Sequence, residues 1–146
     1  MRATQQLKYA IYGIFDLAYH GSNRPIRILE IGRRQQIPAR YLEQIFQRLR
    51  RAGLVCSKRG PGGGYLLGRP PDEITLADVA IAVEGSILSG LEPAESAASE
   101  SPAFLWVQLR ETLAAALEGT SIADLCREAT ERGVKRADPD ASMYYI

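Results

Sequence analysis

The chain has 146 residues, of which 46% are hydrophobic and 24% charged, and these values suit one globular domain with an extension. No apolar run approaches the roughly 18 residues that a membrane span needs, and the N-terminal stretch has no signal-peptide cleavage site. Two cysteines, Cys56 and Cys126, form neither a disulfide framework nor a zinc pattern. We therefore expect a cytoplasmic protein without a membrane partner.

The formal net charge of +1 conceals a strong asymmetry along the chain. Residues 24–69 contain eleven basic residues and only two acidic ones, Glu30 and Glu43, so the net charge of this segment is +9. The other residues include 7 basic and 15 acidic side chains, a net charge of −8. This separation indicates a surface for a polyanion, and the alternative is a solvated basic face without a ligand.

Three helices are predicted in the first third of the chain. Apolar residues recur at helical spacing over residues 5–20, and Gly21 ends the pattern. A short helix is expected around residues 29–36. Pro38 disfavours helix at the residue before it and suits the first turn of a third helix, which is expected over residues 39–52.

A β-hairpin and a further helix are predicted next. The stretches LVCSKR (54–59) and GYLLGR (64–69) have strand character, and GPGGG joins them as a hairpin. Thr75 is the expected N-cap of the following helix, because Asp78 lies three residues later, close to a capping box. This order of elements is that of a winged helix-turn-helix over residues 1–84. The predicted fold class is mostly α with a small β-hairpin (α+β).

The rest of the chain is predicted to hold a linker, two helices and a tail. Residues 85–102 are small, acidic and broken by proline, which is typical of a loop. Residues 103–132 have a helical pattern with one break, after which Thr120 or Ser121 caps the last helix. Residues 133–146 are expected to form a weakly docked or mobile tail. A wide apolar stripe on the first of these helices needs a partner to cover it, and its members are Leu105, Trp106, Leu109, Leu113 and Leu117.

The third helix occupies the recognition position of the helix-turn-helix. Its first turn presents Arg40, Glu43 and Gln44, whose side chains suit the edges of guanine, cytosine and adenine respectively. The alternative for Glu43 is an exposed pair with Gln47 or Arg50. Phosphate contacts are predicted for the cations that follow on this helix and on the hairpin, and the glycines of the hairpin tip permit a close approach of the backbone. These residues are Arg48, Arg50, Arg51, Lys58, Arg59, Gly60 and Gly62.

Two stretches, YLEQIFQRLRRAGLV and RGPGGGYLLGRPPDEITLADVAIAVEG, closely resemble the Rrf2 family of bacterial winged-helix repressors. The resemblance covers roughly residues 1–85 well and the long helix after residue 103 more loosely. It implies a homodimer built on residues 103–118, a recognition helix in the major groove and a wing in the minor groove. By position it implies DNA contacts for Tyr41, Glu43, Gln44, Arg59 and Gly60.

The expected function is that of a sequence-specific regulator of transcription, a repressor, which binds double-stranded DNA as a homodimer on a near-palindromic operator. The alternative is a protein-interaction module that regulates, or is regulated by, a metabolic enzyme. An enzyme is not expected, because no catalytic set is recognisable and GPGGGY lacks the Gly-Lys-Ser/Thr ending of a phosphate loop. The regulatory signal is left open between a small molecule, a thiol oxidant and a partner protein.

The chain departs from the family pattern in its cysteines. Members that bind an iron–sulfur cluster place three cysteines in the loop that corresponds to residues 85–102, and this loop has none. No cofactor and no metal site are therefore expected. Cys56 is interpreted as a small buried hydrophobe and Cys126 as a packing residue, with a redox-sensing thiol as the alternative for either. His20 is expected to serve as a helix-terminal cap or a surface residue.

Overall fold

The computed structural model describes residues 3–21, 23–85 and 101–137. These residues form six α-helices and one antiparallel hairpin, which confirms the predicted fold class and the order of elements. The elements are α1 (Ala3–His20), α2 (Ile28–Gln35), α3 (Ala39–Arg51), β1 (Val55–Lys58), β2 (Gly64–Leu67), a 3-10 turn (Pro71–Glu73), α4 (Leu76–Glu84), α5 (Phe104–Glu118) and α6 (Ile122–Glu131). Most of the predicted linker, residues 86–100, and the end of the tail, residues 138–146, lie outside the described residues.

One apolar core joins α1, α3, α4 and α6. Gly13 lets α1 approach α3, because a Cβ atom at this position would lie 2.7 Å from Cε2 of Phe46. A helix interior normally disfavours glycine, so this close packing explains its presence. The fully buried side chains of the core include Ile14, Leu42, Ile45, Phe46, Leu49, Val79 and Ile122.

The N-termini of α4 and α6 lie side by side and are capped in the same way. Thr75 and Asp78 form the predicted capping box, and Ser121 forms a second one with Asp124. The two caps are neighbours, because Thr75 and Ser121 form an antiparallel bridge and the Ile122 N–H donates to Ile74 O at 2.8 Å. The bridge brings α6 into the same core as the winged helix.

A buried ion-pair cluster fastens α1 to α2. Asp16 is fully buried and accepts two hydrogen bonds from Arg34, from Nη2 at 2.6 Å and from Nε at 3.0 Å. Gln35 Nε2 donates a third at 2.8 Å, and Arg34 Nη1 also donates to Glu30 Oε2 at 3.1 Å. Burial alone would lower the pKa of Arg34, but the hydrogen bonds and charges of Asp16 and Glu30 raise it above its ordinary value. One permanent cation, Arg34, is therefore hydrogen-bonded to both carboxylates.

His20 is buried, so the expectation of a surface residue is wrong for it. Its Nδ1 accepts a hydrogen bond from the Ala137 N–H at 2.8 Å, and the Tyr19 hydroxyl donates to Val134 O. Burial lowers the pKa of His20, against the opposing effect of Asp16 and with smaller contributions from Arg34 and Arg136. A neutral imidazole can accept at Nδ1, and the first residues of the predicted tail, 133–137, are held on α1 in this way.

None of the helices within residues 3–21, 23–85 and 101–137 combines the length and the apolar content needed to cross a membrane.

We expect Arg34→Met to lower the free energy of unfolding by about 3–5 kcal/mol, because the substitution leaves the Asp16 carboxylate buried without its cation. Urea denaturation followed by circular dichroism measures this change. The matched control is Arg132→Met, since Arg132 forms an exposed pair with Glu128 that contributes less than about 1 kcal/mol. Equal losses for the two variants would contradict a structural role of the buried cluster.

Candidate nucleic-acid interface

A tight turn sets the angle between α2 and α3. Gln36 has a left-handed backbone (φ 57°), and the Ile37 N–H donates to Gly32 O at 2.9 Å. A Cβ atom at Gly32 would lie 2.7 Å from Ile37 O, so only glycine permits the chain to fold back this closely. Pro38 then begins α3 with φ −57°, which is the value that the proline ring imposes. This turn forms the helix-turn-helix.

The helix α3 has one buried and one exposed face. Leu42, Ile45, Phe46 and Leu49 are buried at helical spacing, and this pattern orients the helix on the core. The opposite face is polar and exposed over its whole length, and it carries Arg40, Glu43, Gln44, Gln47, Arg50 and Arg51. An amphipathic helix of this kind can present a row of polar groups to an external surface without disturbing its packing.

Two predicted contact residues at the start of α3 support each other. The Arg40 guanidinium lies 4.8 Å from the centre of the Tyr41 ring, and its Nη2 donates to the Tyr41 hydroxyl at 3.1 Å. The half-buried ring of Tyr41 stacks on Tyr9 of α1 with 6.1 Å between ring centres. Tyr41 therefore holds the Arg40 side chain against the body of the molecule while it stays exposed.

Arg48 has internal partners that the sequence did not suggest. Its Nη1 donates to Val83 O and to Gln6 Oε1, both at 2.8 Å. These bonds connect α3 to the C-terminal end of α4 and to α1. Arg48 therefore links three helices, although its side chain lies on the exposed side of α3.

The hairpin forms a wing that is fastened to the helix-turn-helix through Tyr65. Val55 pairs with Leu67, and Lys58 pairs with Gly64. On the other edge of β2, Tyr65 exchanges two backbone hydrogen bonds with Ile26, of 2.8 and 2.9 Å. The Tyr65 ring also packs edge-on against Phe46 of α3, 4.9 Å between ring centres. The wing and the exposed helix are thus held in one arrangement by shared contacts.

The tip of the wing is an exposed, glycine-rich turn. Gly60 and Gly62 have positive φ values of 92° and 72°, which other residues rarely adopt. The Gly63 N–H donates to Gly60 O at 2.9 Å and closes the turn. Lys58, Arg59, Gly60 and Gly62 are all exposed. The structure therefore places all predicted contact residues on α3 and the wing, and all are exposed except the half-buried Tyr41.

The second predicted surface lies on α5, where no residue is buried. Its apolar side chains are instead open to solvent, with exposed fractions of 65% for Phe104 and 42% for both Trp106 and Leu113. Leu105 and Leu109 are also exposed, and Leu117 is half-buried. A contiguous set of large apolar side chains of this kind marks an interaction surface.

The two cysteines differ in accessibility, and one prediction about them is wrong. Cys56 lies on β1 and is exposed, whereas its neighbour Val55 is the buried residue of that strand. Cys126 is half-buried against the core, and burial raises the pKa of its thiol. Within residues 3–21, 23–85 and 101–137, no three His, Cys, Asp or Glu side chains form a group that could hold a metal ion.

Alkylation should distinguish the two thiols. We expect iodoacetamide at neutral pH to modify Cys56 about tenfold or more faster than Cys126, because Cys56 is exposed, whereas Cys126 is half-buried and burial raises the pKa of its thiol. Timed quenching and peptide mass spectrometry measure the two rates. The control is the same reaction in concentrated urea, where the two rates should converge. Similar rates in the native protein would contradict the difference in burial.

Known proteins resemble the chain over most of its length. The Rrf2 family, described as iron-dependent transcriptional regulators, matches residues 3–128. The HTH-type transcriptional regulator IscR of Aliivibrio salmonicida is 39% identical over 129 residues, which cover 86% of this chain and 77% of that protein. IscR of Photorhabdus laumondii is also 39% identical over 129 residues, which cover 86% of this chain and 79% of that protein.

Solved structures show the same architecture. CymR, the global cysteine regulator of B. subtilis, has a TM-score of 0.74 and 32% identity, over 88% of this chain and 98% of its own. IscR of T. potens has a TM-score of 0.76 and 29% identity, over 99% and 97% of the two chains. The fold, the exposed helix and these relatives together lead to one assignment: the chain belongs to the Rrf2 family of DNA-binding transcriptional regulators, which are not enzymes.

Proposed function

We propose that the protein is a homodimeric repressor that recognises a near-palindromic operator in double-stranded DNA. The observation that supports this proposal is the exposed polar face of α3, which is held beside the wing by the Phe46–Tyr65 contact. An α-helix fits the major groove of B-form DNA, where each base pair displays a distinct pattern of donors and acceptors. Two copies of such a helix would contact half-sites about one helical turn apart.

Base recognition is assigned to the first turns of α3. Arg40 is exposed and restrained by Tyr41, so it loses little side-chain entropy when it binds guanine. Gln44 suits adenine, and Glu43 can accept a hydrogen bond from the amino group of cytosine. A carboxylate near phosphates is unfavourable unless such a donor compensates for it, and this makes Glu43 the most sequence-selective of the three.

Phosphate contacts are assigned to exposed cations of α3 and the wing. Arg51 lies in the last turn of α3, and Lys58 and Arg59 lead into the wing tip. The free backbone of Gly60 and Gly62 allows the tip to approach a narrow groove. Arg48 is assigned a shared role, because its bonds to Val83 and Gln6 fix the helix that carries the other contacts.

Dimerisation is assigned to α5. Its apolar side chains are exposed along the helix, whereas α6 is fastened to the core through Ile122 and the Thr75–Ser121 bridge. The interface therefore concerns the first of the two helices in residues 103–132. Packing of two such stripes against each other would remove Leu105, Trp106, Leu109, Leu113 and Leu117 from water.

The residues present do not fit an iron–sulfur cluster held by three cysteines. The whole chain has two cysteines, and they lie on different elements, Cys56 on the wing and Cys126 on α6. Cluster irons require soft thiolate ligands, which residues 85–102 do not contain. We infer that the protein is regulated without such a cluster, although several relatives are IscR proteins.

Selection of bound fragments from random DNA at fixed salt tests the proposed function, because it yields the operator directly. A single enriched, near-palindromic sequence is expected. Enrichment of no sequence, together with an affinity that is insensitive to salt, would contradict the proposal.

Two substitutions should separate base recognition from phosphate contact. We expect Glu43→Ala to reduce discrimination by about 1–3 kcal/mol at one base pair per half-site while affinity for other variants of the site changes little. Arg51→Ala should weaken binding to all sequences alike and lower the salt slope by about one. Fluorescence anisotropy over a set of single-base operator variants, at several salt concentrations, measures both effects. Glu131→Ala, on the exposed end of α6, is the control. If Glu43→Ala weakened binding to all operator variants equally, Glu43 would be a structural residue.

Charges on the α5 stripe should prevent dimerisation. For the double variant Leu109→Glu and Leu113→Glu we expect the mass of a single chain in light scattering. We also expect its affinity for the full operator to fall by about 100-fold or more, because the two half-sites are no longer bound together. Leu29→Glu is the matched control, since Leu29 is 49% exposed on α2. The assignment of α5 fails if the double variant keeps the mass of two chains.

A further inference from the structure

A cavity of about 490 Å³ lies behind the wing, between β2 and the C-terminal end of α1. Its walls come from three parts of the molecule, namely α1 with the turn after it, the hairpin, and the segment that leaves the wing. Leu17, Tyr65, Leu67 and Pro70 contribute apolar surface. The volume and the mostly apolar lining are typical of sites for small molecules, which range from about 300 to 1,000 Å³.

Two arginines, Arg24 and Arg69, are among the residues that line this cavity. None of the described residues that line it is an aspartate or a glutamate. Arg69 has a long hydrogen bond, 3.4 Å from its Nη2 to Ala52 O, and its side chain is otherwise exposed. The charged residues of this lining are therefore both cations, beside the neutral side chain of Asn23, and this charge favours an anionic ligand.

Arg24 is incompletely satisfied by the protein. Its Nε and Nη2 atoms are buried, and neither has a hydrogen-bond acceptor among the described residues. Nη2 lies 3.7 Å from Glu30 Oε2, but the same carboxylate oxygen accepts the shorter bond from Arg34. Buried donors without acceptors are unfavourable, so the guanidinium gains hydrogen bonds if it turns towards an acceptor that enters the cavity.

We propose that this cavity binds a small organic anion, with its carboxylate between Arg24 and Arg69 and its apolar body against Leu17, Tyr65 and Pro70. The planar guanidinium groups match the geometry of a carboxylate. The ligand bridges α1 and the segment after the wing, so it stabilises one position of the wing relative to α3. This second effect rests on the proposed DNA interface, whereas binding itself does not.

Indole-3-acetate and its uncharged analogue indole-3-acetamide test the site, because they share an apolar body and differ in charge. We expect indole-3-acetate to shift the amide signals of Gly21 and Gly68 in ¹H–¹⁵N spectra of the full-length protein. Indole-3-acetamide should bind about tenfold more weakly, the change expected when a charge-assisted hydrogen bond is lost. Equal affinities, shifts confined to α5, or no shifts up to about 10 mM would each overturn the proposal.

Charge-removing variants locate the anion. Arg24→Gln and Arg69→Gln should each lower the affinity for indole-3-acetate about tenfold and leave the affinity for indole-3-acetamide unchanged. Arg27→Gln is the matched control, because Arg27 is exposed and is not part of the lining. If Arg24→Gln fails to fold, Arg69→Gln alone still tests the site, since Arg69 lies outside the ion-pair cluster of Asp16, Glu30 and Arg34. If neither variant alters the preference for the charged compound, the site is refuted.

Anisotropy with operator DNA, with and without saturating indole-3-acetate, tests the effect on the wing. An altered affinity is expected, and by linkage DNA should change the affinity for indole-3-acetate by the same factor. If indole-3-acetate shifts the amide signals but leaves the affinity for DNA unchanged, the proposed effect on the wing is overturned and the binding site is not. Absence of DNA binding in all samples, with the amide shifts intact, would count against the proposed function and leave the cavity site standing.

Discussion

The ion pair between Asp16 and Arg34 is the interaction on which the orientation of the helix-turn-helix depends. A fully buried carboxylate is tolerated only with strong partners, and here it accepts three hydrogen bonds from two residues of α2. The pair fixes α2 on α1, and the Gly32 turn then fixes α3 relative to α2. The direction of the exposed helix is thus set by a polar contact in the interior.

Tyr65 has a comparable role for the wing. Its backbone is bonded to Ile26 and its ring packs against Phe46, so that the hairpin, the turn before α2 and α3 are joined by shared contacts. The glycines of the wing tip contribute reach, but they do not determine the position of the hairpin. The cavity beside Tyr65 lies between the hairpin, the C-terminal end of α1 and the turn before α2, so a ligand there would contact the wing directly.

The basic residues of the 24–69 segment serve two different purposes. Arg34 and Arg48 have hydrogen-bonded internal partners, and Arg24 lies next to Glu30. The cations on the outer face of α3 and on the wing are exposed. A net charge counted along the chain therefore overstates the charge available to DNA.

Local sequence signals determined the elements of this protein. Helical spacing, Pro38, the glycine-rich hairpin and the Thr75–Asp78 pair each act within a few residues, and the structure confirms the elements they predict. The amphipathic pattern of α3 likewise indicated which face would be exposed. These features also carried the resemblance to the Rrf2 family, which the comparisons confirm.

Contacts between distant residues were decided only by the tertiary structure. The burial of Asp16 and His20, the internal bonds of Arg48 and the exposure of Cys56 all depend on partners or orientations that no short stretch of sequence specifies. An aspartate within an apolar helical stripe was a signal for a buried partner, but it did not identify Arg34, 18 residues away. The helix or strand to which a residue belongs follows from its local sequence pattern, whereas its long-range partner follows from the packing of whole helices.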